Sequence, residues 1–155
     1  MILTLVALGC GGSGSGSVAG GRVVRVLDGD TIEVAGVGTV RYLGIDTPEL
    51  HHPRKPVERF AARAASFNRA LVAGRVVRLE TDRESRDAYG RLLAYVYVGD
   101  VFVNAELVRA GMAESFAFVP NTLHRNLFDR LERDARAAAR GQWGPQEGGP
   151  PYGVP

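Results

Sequence analysis

Three segments bring together residue types that could do chemistry. Asp28-Gly29-Asp30-Thr31 sets two carboxylates across a glycine. Asp-Gly is a common hairpin dipeptide, so a plain turn is one reading. It is not an EF-hand loop, which needs more oxygen ligands and a distal Glu. Arg41-Tyr42-Leu43-Gly44-Ile45-Asp46-Thr47-Pro48-Glu49 sets an arginine five residues before an aspartate and adds a glutamate. Pro48 holds Thr47 extended and stops the strand. The structural reading is an Arg–Asp tie between strand and loop. If Asp46 and Glu49 lie near Asp30, however, three carboxylates repel unless a cation or arginine compensates. Asp87-Ala88-Tyr89-Gly90-Arg91 opens a strand with an arginine beside a tyrosine. A guanidinium grips phosphate bidentately and stays charged at any working pH; a solvated strand-opening arginine is the alternative. Together, two arginines, a hard-cation site and a spare carboxylate suit phosphodiester hydrolysis. The cation polarises a phosphoryl oxygen, the arginines offset growing charge, and the carboxylate handles the water proton.

These side chains need a scaffold. Arg22–Leu27 and Thr31–Ala35 read as strands joined at Asp28-Gly29-Asp30, and Gly36-Val37-Gly38 turns into a third, Thr39–Ile45. Val57, Phe60, Ala61, Ala64, Phe67 and Leu71 recur at helical spacing, which predicts a helix over 57–73 that stops at Gly74. Val76–Asp82 and Arg91–Val98 are two more strands, and Leu92, Ala94, Val96 and Val98 share a face of the latter. Asn104 is the expected N-cap of a helix over Ala105–Ala110. Leu123, Leu127, Leu131 and Ala135 step by four along a last helix. Five short strands with a helix between the third and fourth predict an α+β chain built on a five-stranded Greek-key β-barrel of the OB-fold type.

The 155 residues are 45% hydrophobic and 23% charged, which excludes wholesale disorder. One cysteine, Cys10, excludes an internal disulfide framework and a CxxC metal site. No uncharged apolar run is long enough for a polytopic membrane protein. Residues 22–50 hold three arginines against five acids, and residues 54–91 hold ten basic groups against five acids. An acidic pocket can hold a hard cation and a basic surface a polyanion; two solvated faces are the plainer account. His51 and His52 are adjacent, and neighbours in sequence rarely share a metal. His124 stands alone on the last helix. No HExxH, GxSxG or GxxxxGK[ST] occurs. MILTLVALGC followed by GGSGSGSVAGG reads as an apolar export segment and a Gly/Ser tether over residues 1–20. Ala7-Leu8-Gly9-Cys10 resembles a lipoprotein signal, so the expected location is exported, either secreted or anchored to the membrane through Cys10. The folded unit is expected over residues 21–144, and the Pro/Gly-rich 145–155 is expected to be a loose tail.

The ordered set of DGDT at 28–31, RYLGIDTPE at 41–49, HP at 52–53, DAYGRLLAYVYV at 87–98, VNAELVRAGMA at 103–113 and GQW at 141–143 resembles the staphylococcal nuclease (thermonuclease) family. The resemblance runs from Gly21 to Trp143. It implies an OB-fold barrel with three helices and a calcium-dependent endonuclease that cleaves DNA and RNA and leaves 3′-phosphate ends. Carried over by motif, the Asp30 and Asp46 carboxylates and the Thr47 carbonyl would hold Ca2+, with Asp28 behind them. Glu49 would act as general base or position the water. Arg41 and Arg91 would grip the scissile phosphate, and Arg91 could assist the leaving oxygen. Alanine variants of either arginine are then expected to lose turnover while folding nearly normally. Tyr89, Phe116 and Phe118 would contact substrate. Two tyrosines of the best-known member align with Phe116 and Phe118, which keep a stacking face and lose the hydroxyl. Core packing is the other reading for those two phenylalanines. Where relatives often carry lysine, this chain has Ala88. No stable protein partner is implied, and the expected state is a monomer. The competing function is a barrel that binds nucleic acid or peptide without cleaving it.

Overall fold

The computed structural model describes residues 16–50 and 57–145. The export segment through Cys10, His51 and His52, and nearly all of the 145–155 tail lie outside the described residues. Eight strands and three helices follow in chain order: β1 (Ser17–Asp28), β2 (Thr31–Val34), β3 (Gly38–Tyr42), β4 (Ile45–Asp46), α1 (Ala61–Val72), β5 (Val76–Glu80), β6 (Leu92–Val98), β7 (Val101–Phe102), α2 (Val103–Arg109), β8 (Glu114–Ser115) and α3 (Arg125–Ala137). The sheet runs β3-β2-β1-β5-β6, and a parallel β3–β6 pairing returns to its start. The result is the expected closed five-stranded barrel with three helices. No helix among the described residues is long and apolar enough to cross a membrane.

The first hairpin turns at Asp28↔Thr31, as the Asp-Gly signal requires. A Cβ on Gly29 would stand 2.7 Å from Thr47 Oγ1 and 2.9 Å from Ala64 Cβ, so the glycine lets the turn press against both the 47 loop and α1. Inside the barrel lie Val23, Ile32, Val40, Leu79 and Val96, with Tyr42 and Tyr95 among the largest fully buried side chains.

Several expected boundaries move. The third strand does not run through Ile45. It breaks at Leu43-Gly44, where Gly44 takes φ +75° and leaves no room for a Cβ against the Phe128 ring. β4 then departs to pair with β8 instead. The first helix starts at Ala61, because Phe60 is left-handed (φ +72°) and Val57 is exposed. The helix buries alanines and Asn68 more than large apolar groups. Asn104 is not a cap. It lies within α2, wholly buried, accepting from Val96 N–H at 2.9 Å and donating to the Leu43 carbonyl at 2.9 Å. From Leu92 to Val96, β6 is buried on both faces, which overrides the one-faced pattern read from sequence. The last helix begins at Arg125, and Leu123 is exposed.

Candidate active site

The nine residues singled out from the sequence line one cleft of about 600 Å³: Asp30, Arg41, Asp46, Thr47, Glu49, Tyr89, Arg91, Phe116 and Phe118, together with Asp28 and Thr31. Four chain segments supply them. The β1–β2 turn carries Asp28 and Asp30. The β3 end and the loop past β4 carry Arg41 through Glu49. The loop before β6 carries Tyr89 and Arg91. The loop after β8 carries Phe116 and Phe118. Barrel closure aligns the middle pair, since Arg41 is in register with Leu93, two residues past Arg91.

Arg41 is buried, with its side chain only 8% exposed. Its Nη1 donates to the carbonyls of Tyr42 (2.7 Å) and Ile45 (2.9 Å). Its Nη2 lies 2.7 Å from Asp46 Oδ1 and 3.2 Å from Asp30 Oδ2. The guanidinium also sits 5.2 Å from the centre of the Phe118 ring. Arg41 is therefore an internal tie as well as a cleft residue: it bridges two carboxylates and pins the β3–β4 break.

Asp30 is equally engaged. Its Oδ2 accepts from the Thr47 backbone N–H and hydroxyl, both at 3.0 Å, and its Oδ1 accepts from the Thr31 hydroxyl at 2.9 Å. These bonds lock the 47 loop onto the hairpin turn. Asp46 is half-exposed. Burial pushes its carboxyl up to about 6; Arg41 pulls it back, and the negative charges of Asp30, Glu49 and Glu114 raise it further. The cluster thus carries more negative charge than one arginine offsets. Asp28 accepts from the backbone N–H groups of Gly29 (2.8 Å) and Leu50 (3.2 Å), while burial holds its carboxyl above the usual range. Glu49 is exposed on the cleft rim; its backbone N–H donates to the Glu58 carboxylate at 3.1 Å, and Glu58 N–H returns a bond to the Glu49 carbonyl.

The opposite wall is built on Asp87. Its Oδ1 caps the tight turn by accepting from Tyr89 N–H (3.0 Å) and Arg91 N–H (2.9 Å), and its Oδ2 accepts from Arg91 Nε at 2.6 Å. Burial would raise the Asp87 carboxyl, but the hydrogen bonds and charge of Arg91 outweigh it and hold it below its ordinary value. With Nε engaged, the two terminal nitrogens of Arg91 are the fork left for an anion. Tyr89 is 87% exposed, with its ring 5.6 Å from the Arg91 guanidinium. Phe116 and Phe118 meet edge to face at 5.0 Å. Phe116 is half-exposed and belongs to the cleft wall, whereas Phe118 also packs against the core.

Asp87, Asn68 and Asn121 were not singled out from sequence. Asp87 had a signal, an aspartate at the head of a turn whose backbone N–H groups its carboxylate can cap. Asn68 joins Tyr42 OH (2.9 Å) to the Asp28 carbonyl (3.0 Å), and nothing in a helical pattern marks it.

The donors around Arg41 are all oxygens, which suits a hard cation such as Ca2+. Among the described residues no group of three or more His, Cys, Asp or Glu side chains is placed to hold a metal ion. The set that the resemblance implies, the Asp30 and Asp46 carboxylates with the Thr47 carbonyl, would leave water and substrate to supply the remainder. Asp46, half-exposed and beside Asp30 and Glu49, is open to such an ion.

A family model described as "Staphylococcal nuclease homologue" matches residues 39–145. The chain is 39% identical over 124 residues to the thermonuclease of Staphylococcus intermedius, covering 78% of this chain and 74% of that protein. It is 34% identical over 125 residues to the thermonuclease of Staphylococcus hyicus, covering 79% and 74%. To endonuclease YncB of Bacillus subtilis (strain 168) it is 40% identical over 124 residues, covering 77% of this chain and 59% of that protein.

Proposed function

The chain belongs to the staphylococcal nuclease family, and from that premise we propose that it is a calcium-dependent endonuclease that hydrolyses DNA and RNA to 3′-phosphate ends. The nuclease activity follows from the family. Calcium, substrate range and product polarity are the proposal. The observation that carries it is the convergence of two arginines and the Asp30–Asp46–Glu49 acids on one cleft.

Asp30, Asp46 and the Thr47 carbonyl would hold the ion. When bound, it would polarise a phosphoryl oxygen of the substrate. Arg91 offers its terminal nitrogens to the scissile phosphate, and Asp87 fixes their direction through Nε. A guanidinium is a poor proton donor, so its contribution is charge. Arg41 has both terminal nitrogens committed to carbonyls and carboxylates. It reaches a phosphate by exchanging its carboxylate partners, an exchange that a cation on those carboxylates favours. Glu49, exposed on the rim, accepts or orients the water proton. Tyr89 and Phe116 present ring faces to sugar and base.

The test is cleavage of plasmid DNA and of a structured RNA, with calcium and with chelator, followed by end-group analysis. Shortening with calcium, loss with chelator and 3′-phosphate ends support the reading. Protein that retards DNA on a gel and never shortens it at any calcium level overturns it in favour of a binding module. The apolar segment ending at Cys10 supports a further proposal, export of a protein that is secreted or lipid-anchored. Mass analysis of the native N-terminus tests it: an intact, unlipidated Met1 terminus rules that out.

A further inference from the structure

Asn121 is only 2% exposed, follows Pro120 in the loop after β8, and uses both ends of its amide on one residue of the loop between β5 and β6. Its Oδ1 accepts from Glu84 N–H at 2.8 Å and its Nδ2 donates to the Glu84 carbonyl at 2.8 Å. The pairing imitates a backbone ladder between two loops that form no strand together. Asn121 N–H also bonds the Phe118 carbonyl, so the same residue closes the turn that presents Phe118. A second tie runs parallel, from Leu123 N–H to Asp82 Oδ2 at 3.0 Å.

The two loops each contribute to the cleft wall. One carries Phe116 and Phe118, and the other leads into Asp87, Tyr89 and Arg91. The arginine wall has its own anchor on β6, through Leu93 N–H to the Ser85 carbonyl, and its turn is closed by Asp87 N–H to the Arg91 carbonyl. The aromatic wall relies on Asn121, on the Leu123 tie and on Phe116 N–H to the Gly44 carbonyl. Loss of the Asn121 amide therefore loosens the Phe118 end of the aromatic wall, which keeps its Leu123 and Phe116 ties, and leaves the arginine wall in place.

We propose that Asn121 is a positioning residue that fixes the gap between the aromatic wall and Arg91, and thereby makes the site select phosphodiesters whose neighbouring base can stack while the phosphate is gripped. This rests on the nuclease reading above. An amide is required because one side chain must both donate and accept; Asp can only accept, and Ala can do neither.

The experiment uses the full chain with calcium and two dinucleotides, each with one phosphodiester, one bearing both bases and one abasic. For the unaltered protein the base-bearing dinucleotide should show the lower KM, by roughly fivefold to a hundredfold, the range that stacking one base is worth. Asn121→Ala should raise that KM towards the abasic value and leave KM and kcat on the abasic dinucleotide near those of the unaltered protein. Asn121→Asp should fall between, and is read in the same way if the alanine variant melts below the assay temperature. An unchanged KM ratio in a folded variant overturns the inference, as does an equal fall in kcat on both substrates. If the unaltered protein cleaves neither dinucleotide nor DNA, the nuclease reading fails instead.

Discussion

Nη2 of Arg41 lies 2.7 Å from Oδ1 of Asp46, and the same nitrogen reaches Asp30 at 3.2 Å. One buried cation thus holds together two acids proposed as metal ligands. The sequence-based expectation that Arg41→Ala folds almost normally is therefore revised. Removing it strands a buried carboxylate and two carbonyls, which should cost about 3 kcal/mol. Thermal melting should show a fall of several degrees, and calcium should restore more of it in the variant than in the unaltered protein. A variant that melts normally without calcium would show that the bridge does not hold the fold.

Arg91 should behave oppositely. It is a third exposed and its partner Asp87 is near the surface of a turn, so Arg91→Ala should cost less than about 1 kcal/mol. Turnover should nevertheless fall by about a hundredfold or more. Arg91→Lys should not restore it, because an ammonium lacks both the Nε contact to Asp87 and the two-nitrogen fork. Steady-state kinetics beside a melting curve separates the two effects.

Asp30→Ala should raise the calcium concentration for half-maximal cleavage by about tenfold or more. Direct calcium binding by calorimetry provides a readout independent of activity. An unchanged calcium curve would place the ion elsewhere.

His124 gives a pH dependence remote from the cleft. It packs against Tyr95 (4.5 Å) and Phe102 (4.9 Å), and its Nε2 is buried without a partner among the described residues. Burial lowers its pKa below the ordinary 6.5, and the facing charges of Glu80 and Asp82 offset only part of that. The fold prefers the neutral ring, so the unfolded chain binds the proton first as pH falls. Its contribution is complete above pH 6.5 and is lost on acidification below that value. Melting temperatures of the unaltered protein and His124→Phe, followed from pH 8 to pH 4.5, should converge in slope above 6.5 and diverge below it.

What the sequence disclosed and what it withheld divides along the range of the interactions. Turn chemistry at Asp28-Gly29-Asp30 and the β-branched strands are local, so the hairpin and the barrel strands were legible, whereas the full set of nine cleft residues was implied by the motif resemblance, which alone supplied the Thr47 carbonyl, Phe116 and Phe118. The break at Gly44 was not, because it depends on a ring from α3 lying where a Cβ would be. Asn104, Asn68 and Asn121 were opaque for the same reason. Each is a polar residue whose partners stand tens of positions away or on another element, and a one-dimensional pattern reads such residues as caps or surface. The dual nature of Arg41 was partly visible, since both the tie and the phosphate grip were foreseen as alternatives; the geometry shows the tie, and the grip remains the proposal.

Parallel pairing of β3 with β6 is the step that turns a curled sheet into a ring, and the same ladder sets Arg41 abreast of the strand that Arg91 opens. Until that seam is stitched, the two guanidinium groups belong to separate, unaligned pieces of polypeptide. A chain in which that seam has not formed should therefore leave nucleic acid uncut, and competence should appear only with the seam. In a refolding experiment, the return of cleavage would time the joining of first and last barrel staves more faithfully than any spectroscopic signal from the helices.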